Sequence, residues 1–309
     1  MLRAHRLTPK DEYVNDFLGT TFFLNGNLEA ALKYWNNVGK PSIEQVSVDP
    51  RPRLDPVLLD RAVAVAPGTV LSDDQLLISQ ARLQALEVFT NTSLQLQAKD
   101  DGKFDLAVHA SERNGFGDDK WEALLSTFGG VFYQTVTPEY YNVGGTSTNI
   151  SSLLRWDAQK RRASLTISGP IHRKARWRYR AGVDLRDENW AISNYSSVVA
   201  PSLGSLNLRR EVGFLEVASI NSGRWNWRTG VEVSHRDYRS ISPDTPLGGP
   251  LLTEGLELKH TFQTDYALLR VPEHHYFANL WGGSEIGRVL AGSSPAFAKF
   301  QGSLRQTWS

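Results

Sequence analysis

The stretch RWRYRAGVDLRDENW, from Arg176 to Trp190, alternates between two kinds of side chain along its length. Every second residue from Trp177 to Leu185 is apolar or aromatic, and most of the residues between them are charged. Because side chains point alternately to opposite faces of a β-strand, the pattern predicts one strand with an apolar face and an arginine-rich face. A half-buried strand of an ordinary sheet and a wall strand of a membrane β-barrel both fit this description.

The chain beyond Asn114 repeats this alternation many times. Eight alternating segments are separated by turn residues: TNISSLLRWD, RRASLTISGP, RWRYRAGVDLRDENW, RREVGFLEVASI, RWNWRTGVEVSHRDY, LELKHTFQTDYALL, YFANLWGGSEIGRVL and AFAKFQGSLRQTW. Most are near the length of about 9–11 residues that a tilted membrane strand needs. With one further strand expected near Phe132–Glu139, they predict about nine antiparallel strands.

The positions of the aromatic and charged residues favour a barrel. Trp177 and Tyr179, like Trp225 and Trp227, stand at strand ends, where a bilayer interface would lie. Charged residues occupy the opposite rows in mid-strand, which suits a water-filled lumen. The predicted lumen-facing residues are Arg176, Arg178, Arg180, Asp184, Arg228 and Glu232. A soluble β-sandwich enzyme or lectin also has alternating strands and stays an alternative at this point.

The composition of the 309 residues excludes several classes of protein. A net charge of +1 gives no indication of a nucleic-acid partner. The chain has no long apolar run and its mean hydropathy is −0.35, which excludes a helical membrane protein but not a barrel, whose strands place only half of their residues on lipid. The absence of cysteine excludes a disulfide framework and a cysteine-ligated metal site.

The first forty residues predict two short helices. Apolar residues recur at helical spacing before and after the turn NGN at Asn25–Asn27, and Gly39 stands where a helix-ending glycine is expected. The segment GNLEAALKYW resembles one tetratricopeptide-type helical hairpin. One such unit does not bury its own face, and repeat arrays normally contain about three or more units, so we expect further repeats upstream.

Residues 42–113 predict the order strand, helix, helix, strand, strand. SIEQVSVD is the first strand, Asp55 and Pro56 begin one helix, and Ser72 is placed to cap the next. The strands SLQLQAKD and KFDLAVHASE follow and are joined at DDGK, a strong hairpin signal.

This order, with PGTVLSDDQL and ARLQALEVF, resembles a POTRA domain of the BamA/TamA outer-membrane superfamily. Gly68 matches the turn glycine of that domain, Leu83 its helix leucine and Phe89 the aromatic before its second strand. The segment TPEYYNVGGTSTNISSLLRW is similar to the start of the family's barrel, with Gly144 and Gly145 in the strand-entry turn. The resemblance implies a tetratricopeptide-like hairpin in residues 1–40, a POTRA domain in 41–114 and part of an outer-membrane barrel in 115–309, so the fold class is α+β followed by all-β.

The resemblance also implies a function: assembly of outer-membrane proteins or translocation of polypeptides, with the POTRA domain and the helical repeat in the periplasm. Client strands would add to exposed strand edges by β-augmentation. On the POTRA domain this edge is Ser93, Leu94, Gln95, Leu96, Gln97, Ala98 and Lys99. On the first barrel strand it is Phe132, Tyr133, Gln134, Thr135, Val136, Thr137, Pro138 and Glu139. The implied partners are unfolded clients, outer-membrane lipid and periplasmic accessory proteins that bind the helical repeat.

The resemblance is incomplete. The family barrel has sixteen strands, and its late Val-Arg-Gly-Phe/Tyr loop motif does not occur in this sequence. An open half-barrel would leave unpaired backbone groups in lipid, so we expect the chain to be a fragment. Two alternatives share a barrel: a two-partner-secretion exporter of one client, and a passive porin-like or ligand-binding barrel.

Signals of catalysis or cofactor binding are weak. The sequence contains no G-x-S-x-G motif, so the lipase branch of the superfamily finds no support. Glu273, His274 and His275 suggest a metal site, but adjacent strand residues point to opposite faces, so we interpret them as turn or strand-end residues. We therefore predict a protein that is not an enzyme and has no catalytic, cofactor or metal-binding residues.

Overall fold

The computed structural model describes residues 1–113, 115, 120–193, 202–242, 253–290 and 296–308. It begins with helices α1 (Leu2–Leu7), α2 (Glu12–Leu24) and α3 (Leu28–Trp35), followed by a 3-10 turn at Asn36–Val38. The side chain of Asp11 caps α2 through the amide of Val14, and Asn27 caps α3 through that of Ala30. The NGN turn therefore separates two helices, as the spacing of apolar residues predicts.

A small mixed sheet follows these helices. Its elements are β1 (Ile43–Asp49), α4 (Pro56–Ala62), α5 (Asp73–Ala85), β2 (Phe89–Ala98) and β3 (Phe104–Glu112). The central strand β3 runs parallel to β1 and antiparallel to β2. Asp55 caps α4, and Ser72 forms a reciprocal capping box with Gln75 at the start of α5, so local capping chemistry sets both helix starts.

The helices α2 and α3 and the small sheet share one hydrophobic core. Leu32 of α3 is fully buried in the same cluster as Ile43, Leu83 and Leu106. The ring of Trp35 lies 5.3 Å from that of Phe104, centroid to centroid. The helical pair thus buries apolar side chains against the small sheet. We call residues 1–113 the N-terminal layer.

Ten strands form a second, antiparallel sheet, which confirms the predicted series of alternating strands. The eight alternating segments correspond to the strands β6 (Thr148–Trp156), β7 (Lys160–Ile171), β8 (Lys174–Ser193), β9 (Ser202–Ile220), β10 (Trp225–Arg239), β11 (Gly255–Val271), β12 (Tyr276–Val289) and β13 (Phe297–Thr307). Each pairs with the next along the chain. Several exceed the expected length, and β8 reaches 20 residues.

The predicted continuous strand Phe132–Glu139 is wrong. Helix α6 (Lys120–Phe132) extends through Phe132, because the apolar residues keep helical spacing up to that point. Tyr133 and Gln134 form a turn, in which Gln134 has a left-handed φ of 55°. Only β4 (Thr135–Val136) and β5 (Glu139–Val143) are strands, and both pair with β6. Pro138, between them, lacks the N–H that a continuous ladder needs.

The two faces of the ten-stranded sheet differ in chemistry. One face exposes apolar side chains on successive strands, such as Leu165 on β7, Val183 on β8 and Leu215 on β9, and Val183 is 48% exposed. We call it the apolar face. The opposite, polar face carries the charged rows and lines a cleft of about 450 Å³ between β5 and β11. Within the described residues, none of the helices is long and apolar enough to cross a membrane.

Candidate functional site

Charged side chains pair across neighbouring strands on the polar face. Arg162 on β7 donates two hydrogen bonds to Asp184 on β8, at 2.9 and 2.8 Å, and Arg186 donates to the same carboxylate at 2.6 Å. On the next strands, Glu232 accepts from Arg210 at 2.7 Å and lies 3.1 Å from the Nζ atom of Lys259. Glu232 and Lys259 are direct partners in the ladder, whereas Arg162 faces Arg186 and the Asp184 carboxylate lies between their charges. These opposite charges on neighbouring strands keep this face polar.

Most predicted lumen residues lie on this polar face. Asp184 and Glu232 belong to the charge clusters above, and Arg180 lies 3.7 Å from Glu216. Arg228 lines a second cleft between the same face and α5. Arg176 lies at the end of the row, where it donates to the side chain of Asn221.

Arg178 occupies a different environment from the open lumen wall predicted for it. It is 7% exposed and lies where the sheet meets the end of α5. Its guanidinium donates to the Ser147 hydroxyl at 3.2 Å and lies 3.6 Å from the Glu87 carboxylate. Arg178 is therefore a contact between the sheet and the N-terminal layer. The sequence did not indicate this burial because it depends on how α5 packs.

The N-terminal layer covers one end of the sheet, where it contacts four successive hairpin turns. The first turn joins β5 to β6. The carbonyl of Gly145 accepts from the amide of Asp55 at 2.7 Å, and Ser147 and Asn149 both donate to the carbonyl of Leu86. Gly144 and Gly145 have left-handed φ values of 59° and 77°, which glycine adopts without strain. The third predicted turn glycine, Gly68, has a φ of 81° and donates its amide to Ile43.

The next two turns contact α4 and α5. In the turn between β7 and β8, the carbonyl of Arg173 accepts from Arg61. The guanidinium of Arg173 lies 3.1 Å from the carboxylate of Asp55. In the turn between β9 and β10, Arg224 donates to Asp73 at 3.2 Å. Ala175, at the start of β8, is fully buried in the hydrophobic core of the N-terminal layer.

The fourth turn, between β11 and β12, binds α3. Arg270 donates twice to Glu29 at 2.7 Å, and Asn27 donates to the carbonyl of Pro272. Glu273 accepts from the Tyr34 hydroxyl at 2.8 Å and lies 2.6 Å from the Nζ atom of Lys33. His274 ends a 3-10 turn and His275 follows it in a left-handed conformation, so both are turn residues as interpreted from the sequence. The argument from strand alternation does not apply to them. Sequence reasoning missed Glu29 and Tyr34.

The environment of Glu273 shifts two pKa values. Burial acts to raise the pKa of Glu273, but hydrogen bonds from Lys33, its own amide and Tyr34 outweigh it, so that the pKa lies below the ordinary value. The pKa of Tyr34 is raised, first by burial and then by its hydrogen bond to Glu273. The pair is therefore a carboxylate that accepts from a neutral phenol at neutral pH.

The two predicted strand edges coincide only in part with edges of the sheets. In the described part of the chain β2 pairs only with β3, so residues Ser93 to Ala98 form an edge of the small sheet. Lys99 falls just beyond the strand and forms an ion pair with Glu44 at 2.6 Å. The short strands β4 and β5 form one edge of the ten-stranded sheet, and β13 forms the other. Among the described residues there is no cluster of three or more metal-ligating side chains.

The fold is a large antiparallel sheet with one exposed apolar face and one charged face, joined to a small mixed sheet and its helices. The chain resembles CdiB from Escherichia coli with a TM-score of 0.50 and 12% identity, over 86% of this chain and 51% of that one. It also matches BamA from Haemophilus ducreyi lacking POTRA domains 1–3, with a TM-score of 0.38 and 11% identity, over 87% of this chain and 56% of that one. The chain therefore has a fold similar to that of CdiB.

The chain spans slightly more than half of the length of the solved structures it matches. A scan against protein-family models gives no match, and a search among curated proteins gives none either.

Proposed function

We propose that this chain is part of an outer-membrane protein of the BamA/TamA type that inserts or translocates polypeptides. The observation that carries the proposal is the ten-stranded antiparallel sheet with an exposed apolar face, a charged opposite face and a domain docked on one row of turns. In a bilayer the apolar face would contact lipid and the charged face would line a hydrated lumen.

The N-terminal layer would then lie in the periplasm. We assign residues 41–114 to a POTRA domain, supported by the order of its elements and by the position of β3 between β1 and β2. Residues 1–40 would be a tetratricopeptide-like unit that binds accessory proteins. Its shared core with the small sheet makes it a fixed part of the same body.

Clients would bind to strand edges. The edge of β2 offers backbone N–H and C=O groups to an extended polypeptide, and its side chains Gln95 and Gln97 are exposed. The edge formed by β4 and β5 would accept client strands within the membrane. No step of this function requires covalent chemistry, a cofactor or a metal.

Photocross-linking tests the edge assignment. A photoreactive residue at Gln95 should capture unfolded client polypeptides. The matched control is His109, which is exposed on the same face but lies on the central strand β3, where both edges are paired. Equal capture at Gln95 and His109 would contradict β-augmentation, because an added strand reaches only the edge.

A two-partner-secretion exporter shares this fold and differs in its clients. Identification of the captured polypeptides separates the two: a general assembly factor yields many outer-membrane proteins, and a dedicated exporter yields one secreted protein. A passive porin-like barrel would capture none and would conduct ions regardless of client.

A further inference from the structure

The helix α6 exposes a stripe of large apolar side chains beside the edge of the ten-stranded sheet. Leu125, Phe128 and Phe132 are 70%, 68% and 84% exposed. At 3.6 residues per turn, these three positions fall within an arc of about 60° on one side of the helix. The run from Ala123 to Tyr133 contains no charged residue.

The position of α6 relative to the sheet follows from its last turn. The carbonyl of Gln134 accepts from the amide of Trp156 on β6, so the carbonyl of the next residue, Thr135, points away from β6 toward the free edge. A Cβ atom added at Gly130 would lie 2.3 Å from that carbonyl oxygen and 3.1 Å from Val136. The backbone of α6 therefore lies against the edge of β4, and only glycine permits this approach.

The apolar stripe points away from this contact. Gly130 lies about 170° around the helix from the centre of the stripe. The side chain of Val136, which Gly130 approaches, shares a face with Leu154 and through it with Leu185, both of which belong to the exposed apolar face. The stripe thus continues the apolar face of the sheet beyond its first strand.

The helix also runs along the height of the sheet. Gly115, before α6, accepts from the amide of Tyr141 on β5, nearer to the docked end. The helix ends at Phe132, two residues before Gln134, whose carbonyl accepts from Trp156 at the opposite end of β6. Thirteen helical residues extend about 20 Å, close to the apolar band of about 25 Å on a membrane barrel.

We propose that α6 is a lipid-contacting helix that lies in the hydrocarbon layer along the edge of the first strand. The inference rests on the proposed function, because it extends the proposed lipid face of the sheet. In this structure α6 itself covers the edge of β4, because it lies against the carbonyl of Thr135. A client strand that pairs with β4 would therefore displace α6 sideways into lipid.

The absence of cysteine in these 309 residues allows a direct test. The variants Leu125→Cys and Phe128→Cys, each spin-labelled in the full chain in phosphatidylethanolamine–phosphatidylglycerol vesicles, report accessibility to oxygen and to a polar nickel complex. Val183→Cys marks the apolar face of the sheet, and Asp101→Cys marks the exposed hairpin between β2 and β3. We expect the oxygen-to-nickel ratio at both helix sites to match that of Val183 and to exceed that of Asp101 about tenfold, because polar reagents are excluded from hydrocarbon.

Two results would overturn the inference while the proposed function stands. In one, the helix labels match Asp101 and therefore lie in water. In the other, they are shielded from both reagents and therefore pack against protein. A water-like label at Val183 would instead overturn the lipid face of the sheet and, with it, both proposals.

Discussion

Glu29 on α3 and Arg270 at the end of β11 are separated by 241 positions in the chain and are joined by two hydrogen bonds of 2.7 Å. Both side chains are about four-fifths buried. Two nitrogen atoms of the planar guanidinium donate to the two oxygen atoms of the carboxylate, and this bidentate geometry is the strongest for such a pair. This contact ties the helical start of the chain to the fourth turn of the large sheet.

Removal of this pair should loosen the docked end of the sheet. Glu29→Gln leaves Arg270 without its charged partner and should cost about 1–3 kcal/mol of local stability. Hydrogen exchange of the amides in residues 270–276 measures the loss. The control is Glu211→Gln, which breaks an exposed pair with Arg209 and should change exchange little. Unchanged protection in Glu29→Gln would mean that the ion pair does not hold the turn.

The same turn should respond to acid through Glu273. Its pKa in the folded state lies below the ordinary value of 4.5, so its stabilising contribution is present above about pH 4.5 and is lost as the pH falls through the lowered pKa. Exchange protection of residues 270–276 should therefore fall below pH 4.5. Glu273→Gln should remove this dependence, and an identical acid response in that variant would assign the effect to other carboxylates.

The shared core predicts that α3 and the small sheet unfold together. Leu32→Ala removes a fully buried side chain and should destabilise the layer by about 2–5 kcal/mol. Protection of amides in β3 should fall by the same amount as protection in α3. Leu24→Ala, at an exposed position of α2, is the control and should have little effect. A loss confined to α3 would show two independent units.

We expect disruption of the charge cluster on β7 and β8 to lower the stability of the large sheet. Asp184→Asn removes the carboxylate that Arg162 and Arg186 share and leaves two cations close together. The midpoint of urea unfolding in vesicles should shift by the equivalent of about 1–3 kcal/mol. Asp237→Asn, in a more exposed pair with Arg239, is the matched control. Equal midpoints for the two variants would show that the cluster contributes no more than a surface pair.

Local patterns in the sequence account for much of the fold. The period of two in β6 to β13 and the caps at Asp55 and Ser72 are properties of short segments, so they can be read without the rest of the chain. The local pattern gave the wrong element at Phe132, because a run of apolar and aromatic residues is compatible with a helix as well as with a strand. In the structure the helix continues to Phe132 and the turn at Gln134 separates it from the first strand.

The contacts between the two sheets were beyond prediction for a different reason. The burial of Arg178 and the pairing of Tyr34 with Glu273 join segments that no periodicity relates. Each depends on the position of α5 or α3 against the turns. Of the predicted edges, Ser93–Ala98 lies on an edge strand, whereas in Phe132–Glu139 only Thr135, Val136 and Glu139 belong to strands. Chain order does not give these positions, because β3, the last strand of the small sheet, pairs with both β1 and β2 and is central.

The four docked turns restrict how the large sheet can deform. Because all four attach to a body with one hydrophobic core, the spacing of the strands at that end is held constant. Between β5 and β12, a separation of neighbouring strands must therefore increase with distance from the docked end, so an aperture in this part of the wall would be a wedge that is narrow beside the N-terminal layer and wide at the opposite rim.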